Sequence, residues 1–371
     1  MWKNNVDTQK ELFYSSAADM QCSGDGEFAA DGEYRLLCGV NSSGANDAVI
    51  RFFVNENPDK EAKLLLQRLF RYMIRPSVLR RMVLTGQSEA RTAKRRLVEG
   101  QVSVSVYENN LHSLMDLCKS IVPAWDRAER ILVKINLNTG DAYPASTDPE
   151  FLVALLDAMQ DKGFKNLLVG DCSSISALPT RRVAAQAGII EALRGKSPMV
   201  CFDNEPWVRV NIGGKYLSSA VMPRMVFEVD RIIHLANMKT HSLADFSFGM
   251  KLGVGYMHPL ERRELHTGYL QEKVAELALA VQPDLTVIDG RHAFVCGGPV
   301  NGRVEKAGIV LWGENPLAVD VEAYRRLYAL KKEFNCLEEF EEDPFEMRQL
   351  QYARKIGVGN ADWQGYRVVE V

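Results

Sequence analysis

At 371 residues, with 46% apolar and 25% charged side chains, the chain has the composition of a globular protein with room for one large domain or two. Its 45 basic and 48 acidic side chains leave a formal net charge of -3, so no global basic footprint points to nucleic acid. The polar start MWKNNVDTQKEL lacks the apolar run that export needs, and no apolar stretch reaches the ~20 residues that span a bilayer. A cytoplasmic location without a membrane partner is expected.

Residues 1 to 46 are irregular and rich in Gly, Ser, Asp and Asn, and the stretch 34–40 is expected to pair with 48–54 as a hairpin. A basic helical region is expected from about Asp59 to Val98, with Arg68, Arg71, Arg75, Arg80, Arg81, Arg91, Lys94, Arg95 and Arg96 among Leu and Met. It reads as a solvated face, or as a surface for an acidic partner. The extension thus covers residues 1–100, and residues 101–371 form the α/β domain.

From Gln101 the pattern is regular. Val102–Val106 alternates like a strand, Asn109–Ile121 reads as a helix and Arg130–Asn136 as a buried strand. Asp148–Lys162 has a helix start at Pro149 and a stop at Gly163. Strand 167–171 and helix 181–194 follow, and Gly213-Gly214 between 207–211 and 215–219 signals a hairpin. Segments 231–236, 285–289 and 307–312 read as buried strands, and 316–330 as a helix. The alternation implies an α/β fold: a mostly parallel sheet with helices on both faces, an inserted antiparallel hairpin and an N-terminal α+β extension.

Ligands of such sheets bind beyond the carboxyl ends of the strands. Those ends are polar here: Asn136 and Asn138, Asp171 to Ser173, Lys239 and His241, and Asp289 to His292. The densest cluster runs from Lys239 to His258 and on to His266, with Lys251 set among Gly249, Gly253 and Gly255. Glycines let backbone N–H groups approach an anion, and a lysine there can neutralise a carboxylate or phosphate, or act as a nucleophile if desolvated. The histidines suit acid/base work or metal ligation. No standard metal or nucleotide fingerprint is present. The loop Gly297–Gly302 reads as a structural turn or an anion cradle, and His112 and His234 read as structural.

Seven cysteines, Cys22, Cys38, Cys118, Cys172, Cys201, Cys296 and Cys336, are odd in number and widely spaced, with no C-x-x-C. They read as buried free thiols rather than a disulfide framework, zinc ribbon or ferredoxin-type cluster. Cys172 and Cys296, near presumed strand ends, are the thiols to watch for reactivity.

Several motifs combine into a resemblance. They are Val133–Leu137, Thr147-Asp-Pro149, Val169-Gly-Asp171, Met238-Lys-Thr-His241, Phe248–Gly253, Asp289-Gly290, Gly297-Gly-Pro299 and Pro316–Asp320. In order and spacing the chain resembles, from about Val102 to Asp320, the family catalogued as domain of unknown function 362. Many members carry a ferredoxin-like iron–sulfur module, which is not evident here. More distantly, His241, Phe246-Ser247, Gly249, Lys251 and His266 resemble the motif of the nickel-pincer lactate racemase family. That resemblance implies Lys251 as cofactor tether and His241 and His266 as acid/base or metal-facing residues. The strand-end histidine of that family has no counterpart, and Asp171 stands near its place.

The leading expectation is an enzyme, isomerase-like or oxidoreductase, acting on a small anionic hydroxy or oxo acid. His241, Lys251, His266 and Asp171 would be catalytic. Lys251, Asn136, Asn138, Lys239, Gly249, Gly253 and Asp289 would bind ligand or a metal-containing or covalent cofactor, with His241 and His266 facing any metal ion. The alternatives are a redox accessory docking an iron–sulfur protein partner through the Arg68–Arg96 face, and a non-catalytic binding module.

Overall fold

The computed structural model describes residues 26–30, 34–40, 48–54, 82, 84–93, 101–106, 112–121, 125–338, 340–359 and 365–371. The chain divides into two units, Met1–Pro76 and Ser77–Val371. In the first, β1 (Gly26–Ala30), β2 (Tyr34–Val40) and β3 (Ala48–Val54) form an antiparallel sheet in that order. Tyr34 pairs with Val54 and Val40 with Ala48, the hairpin expected from the sequence.

The second unit opens with β4 (Leu84–Ser88) and β5 (Gln101–Val106), then α1 (His112–Ile121), β6 (Ile131–Lys134), α2 (Pro149–Asp161) and β7 (Leu167–Asp171). Next come α3 (Thr180–Gln186), α4 (Ile189–Ala192), β8 (Met199–Cys201), β9 (Trp207–Asn211), β10 (Ser219–Pro223), β11 (Arg231–His241) and β12 (Asp245–Ser247). The chain continues through α5 (Gly249–Leu252), α6 (Arg262–Leu265), α7 (Leu270–Ala280), β13 (Leu285–Gly297) and β14 (Gly302–Gly313). It ends with α8 (Pro316–Glu333), α9 (Arg348–Lys355) and β15 (Arg367–Glu370).

Among the described residues the main sheet has the order β15-β5-β14-β13-β11-β6-β7-β8, with β12 hairpinned onto β11. Strands β8, β7, β6, β11 and β13 run parallel, while β14 is antiparallel to both β13 and β5. Apolar runs with few polar interruptions suit strands covered on both faces. Two buried clusters cover them. One is centred on α2 and the β6–β7 strands, the other on α5, α7, α8 and the β9–β10 hairpin. The cap of α2 follows the sequence logic: Asp148 accepts from the Glu150 amide at 3.0 Å and Pro149 opens the helix.

The sheet switches direction once. From β6 the chain moves outward through β7 to β8, then returns to β11 on the other side of β6 and continues to β13 and β14. The carboxyl ends of β6 and β11 therefore flank the topological switch point, where open α/β sheets form their crevice.

Three expectations are corrected. Within the expected basic helix, Leu84–Ser88 is a strand parallel to β9, not a helix. Thr85 and Gly86 are poor helix formers, and Gly86 sits at φ +155°, which a side chain would resist. The second hairpin strand is Ser219–Pro223 rather than 215–219, because the Tyr216 and Leu217 amides donate to the Glu276 carboxylate instead of to β9. That hairpin also belongs to a separate β10-β9-β4 sheet, so the antiparallel part of the main sheet is β13, β14 and β5. Helix 181–194 is broken into α3 and α4 by Gly188 at φ +76°.

Candidate functional site

The floor of the switch point is built by strand-end side chains. At the end of β6, the Asn136 backbone exchanges hydrogen bonds with Thr147, its amide donating to Oγ1 at 2.8 Å and its carbonyl accepting from the Thr147 amide at 2.9 Å. Asn136 Nδ2 donates across the switch point to Asn237 Oδ1 on β11 at 2.9 Å, and also to the Ala145 carbonyl at 2.9 Å. Lys239, two residues beyond Asn237, donates from Nζ to the same carbonyl at 2.7 Å. Asn136 and Lys239 are thus joined through one backbone oxygen.

Above this floor β11 turns into β12, with His241 opposite Asp245, and the chain enters α5. Asp320 on α8 fixes that helix, its carboxylate accepting from the Gly249 and Met250 amides at 2.9 and 3.0 Å. Burial pushes Asp320 up to about 7 against the pull of these two bonds. Residue 249 must be glycine, since a Cβ there would collide with Thr286 Cγ2 and crowd the Asp320 carboxylate. The result is a short, anchored helix that carries Lys251.

His241 lies within electrostatic reach of Lys251, Lys239 and His266, and Lys239 within reach of Lys251. Burial and the neighbouring Lys251 lower Lys239 to about 7, with Asp141 opposing. Burial lowers Lys251 to about 8. His241 falls to about 2, through burial first and then the charges of Lys251, Lys239 and His266. No carboxylate among the described residues contacts the Lys239 or Lys251 ammonium group. Positive charge is gathered at a strand end, with Asp141 acting on Lys239 without touching it.

Hydrogen bonds assign the histidine tautomers. His241 Nδ1 accepts from the Leu243 amide at 3.1 Å, so the neutral ring carries its proton on Nε2. His266 Nδ1 faces the Arg262 carbonyl at 2.9 Å and must donate, leaving a lone pair on Nε2. His266 is exposed and His241 half-buried.

The other expected residues are placed as follows. Asp171 is buried in an ion pair with Lys134 at 2.7 Å, and its oxygens also accept from the Leu137 and Cys172 amides, both at 2.6 Å. Asn138 is exposed, its carbonyl taking the Ser174 amide. Asp289 accepts from Tyr143 Oη at 2.8 Å and from Arg291 Nε at 2.9 Å, while Arg291 also binds Asp148. Gly253 ends α5. His234 is structural, as expected: Nδ1 meets the Gly249 carbonyl at 2.9 Å and Nε2 the Tyr256 hydroxyl at 3.0 Å. Of the basic Arg68–Arg96 face only Arg91 is described, and it binds Asp284 and the Gln282 carbonyl; the remainder lies outside the described residues.

Sequence reasoning missed the scaffold beneath Lys251. The Lys134–Asp171 pair lies under Gly255, where a Cβ would stand 2.5 Å from Lys134 Nζ and 2.7 Å from Asp171 Oδ1. Arg262 then ties the segment down, donating to the Gly255, Met257 and Ser173 carbonyls at 2.7, 2.8 and 2.9 Å. Lys134 inside the run Ile-Leu-Val-Lys-Ile was the available signal, since a lysine in a buried strand demands a partner.

Residues 131–325 match the family model described as a domain of unknown function (DUF362). The chain belongs to that family. The match begins with β6 and ends within α8, so the switch point, both lysines and Asp320 all lie in the DUF362 region. A thylakoid-associated protein of Synechocystis sp. is 25% identical over 207 residues, covering 52% of this chain and 61% of that one. The chain therefore spans about three fifths of that relative's length. Among solved structures, the lactate racemase apoprotein of Thermoanaerobacterium thermosaccharolyticum gives a TM-score of 0.32 at 11% identity, covering 64% of this chain and 59% of that one. A likeness of that size does not bear on function.

A metal ion facing His241 and His266 fits these residues poorly. Among the described residues no group of three His, Cys, Asp or Glu side chains converges. The two ammonium groups that depress His241 would also repel a bare cation. No described helix is long and apolar enough to cross a membrane.

Proposed function

We propose that this DUF362 protein is an enzyme acting on a small organic anion of the hydroxy or oxo acid class, bound between Lys239 and Lys251 over the β6–β11 crevice. The observation that carries this reading is the convergence of those two lysines with His241 at the switch point, without a contacting carboxylate among the described residues. Such an arrangement is costly for the folded chain unless an anion completes it.

The chemistry that suits it is proton transfer beside a carboxylate or carbonyl. The Lys239 ammonium holds the anion and stabilises charge that develops on its oxygens. His241 Nε2–H donates to such an oxygen as a neutral electrophile. Lys251, lowered to about 8, is partly the free amine near neutral pH and serves as base, or as a nucleophile toward a carbonyl. His266 Nε2 is the second basic atom, on the solvent side. Asn136 positions Lys239 through the Ala145 carbonyl, and Asp171, saturated by its partners, positions the α5 segment rather than reacting.

The test is proton exchange. The full chain is incubated in heavy water with a panel of 2-hydroxy and 2-oxo acids, and deuterium at C2 of the hydroxy acids and at C3 of the oxo acids is followed by NMR against a protein-free control. The reading expects exchange for at least one acid, lost in Lys251→Met. Exchange that persists unchanged in that variant would remove Lys251 from the chemistry. Binding without exchange on any acid would leave a binding module in place of an enzyme.

A further inference from the structure

Away from the lysine site, a second cluster of reactive side chains sits where β13 ends. Cys296 lies at an irregularity of β13, where the register against β14 shifts between Phe294 and Cys296. Cys336 follows α8, its backbone fixed by its amide donating to the Lys331 carbonyl at 2.9 Å. The Cys336 sulfur points back at β13, donating to the Val295 carbonyl at 3.6 Å, directly before Cys296. That contact sets the Cys336 sulfur against the peptide that joins Val295 to Cys296. Cys336 is buried, whereas Cys296 is partly exposed, so solvent reaches one member of the pair.

We propose that Cys296 and Cys336 form a reversible disulfide that clamps the Gly297–Gly302 turn to the segment after α8. The sulfurs are free in this structure. Bond formation would close the two sulfurs to the ~2.05 Å of a disulfide through side-chain rotation and backbone approach. Charged groups adjoin the pair and set the rate of exchange. Glu338 Oε1 lies 3.5 Å from the Cys296 sulfur and can take its proton, while Lys331 Nζ is 3.8 Å from Glu338 and donates to the Val295 carbonyl at 2.6 Å.

The oxidant is a low-molecular-weight disulfide. The Cys296 thiolate attacks one of its sulfurs and expels a thiolate, leaving a mixed disulfide. The deprotonated Cys336 then attacks the Cys296 sulfur and expels the second thiolate. Two protein thiols become one disulfide, one small disulfide becomes two thiols, and the two protons lost by the protein end on those thiols. Burial, then the Cys336 thiol and the Glu338 carboxylate, hold Cys296 up at about 11. Exchange is therefore slow at neutral pH and quickens as pH rises.

The clamp would bear on the lysine site through packing already present. Gly298 sits against the Thr240 carbonyl so closely that a Cβ would collide with it, and the Pro299 carbonyl faces Lys239 Nζ at 3.5 Å.

The experiment uses the reduced full chain with oxidised glutathione at mildly alkaline pH, followed by intact mass and peptide mapping without reduction. The expected result is the loss of two hydrogens and a linkage between the Cys296 and Cys336 peptides, reversed by dithiothreitol. Cys296→Ser should abolish it without disturbing the core, and Cys336→Ala should do the same. A dominant linkage between other cysteines would overturn the proposal. So would a stable glutathione adduct on Cys296 with Cys336 free, or no reaction under conditions that oxidise the unfolded chain.

Discussion

Lys134 and Lys239 stand near the carboxyl ends of neighbouring strands, at 1% and 4% exposure, yet the protein treats them differently. Lys134 meets a carboxylate at 2.7 Å and a carbonyl at 2.8 Å, and it serves as scaffold under Gly255. Lys239 meets neutral carbonyls and the field of a second lysine. Burial lowers both side chains, but at Lys134 the adjacent Asp171 opposes that effect from direct contact. The lesson is that the nearest anion, rather than burial or strand position, separates a lysine locked into the scaffold from one that no carboxylate contacts among the described residues.

The largest expected effect comes from breaking the matched side. Asp171→Asn leaves Lys134 buried without its counter-charge, and should cost about 3–5 kcal/mol in urea unfolding. A loss of under ~1 kcal/mol would mean that the pair is not the scaffold argued here.

The unmatched side should respond in the opposite sense. Lys239→Met removes a buried charge that no carboxylate contacts among the described residues, and should stabilise the fold at neutral pH by on the order of 1–4 kcal/mol while abolishing anion binding. The pH dependence has a definite sign. Lys239 falls from 10.5 to about 7 on folding, so between those values the unfolded chain binds more protons and stability rises with pH. The gain from Lys239→Met is therefore full below about pH 7 and fades toward 10.5. A variant less stable than the parent at pH 7 would contradict the comparison.

Gly255→Ala probes the contact between the two sides, since its Cβ would press on both members of the Lys134–Asp171 pair. The expected cost is about 1–3 kcal/mol by thermal unfolding. Combined with Asp171→Ala, the two losses should total less than their sum, which would confirm where the clash lies. Free tolerance of the single substitution would separate α5 from its scaffold.

Much of this frame was legible in the chain itself. Asp148-Pro149 announced the start of α2, and apolar runs marked β6, β7, β11 and β13. What stayed hidden depends on contacts far apart in sequence. Asp171 looked reactive until Lys134, 37 positions earlier, was seen beside it. Asp320 read as part of a motif and proved to anchor α5 across 71 positions. The switch point itself needs the strand order, which no local pattern carries. Strand lengths were underread for a related reason: β11 runs on to His241 because β12 folds back to pair with its end.

The central claim is that Lys239 and Lys251 await an anion. The most direct measurement is calorimetric titration of the intact protein with oxalate, near pH 8 and in buffers of different ionisation enthalpy. An anion between the lysines should raise both from their values of about 7 and 8, so binding should take up protons. It should also weaken with salt and vanish in Lys251→Met. Binding with no proton uptake, equal in the parent and in the Lys239→Met and Lys251→Met variants, would contradict the account.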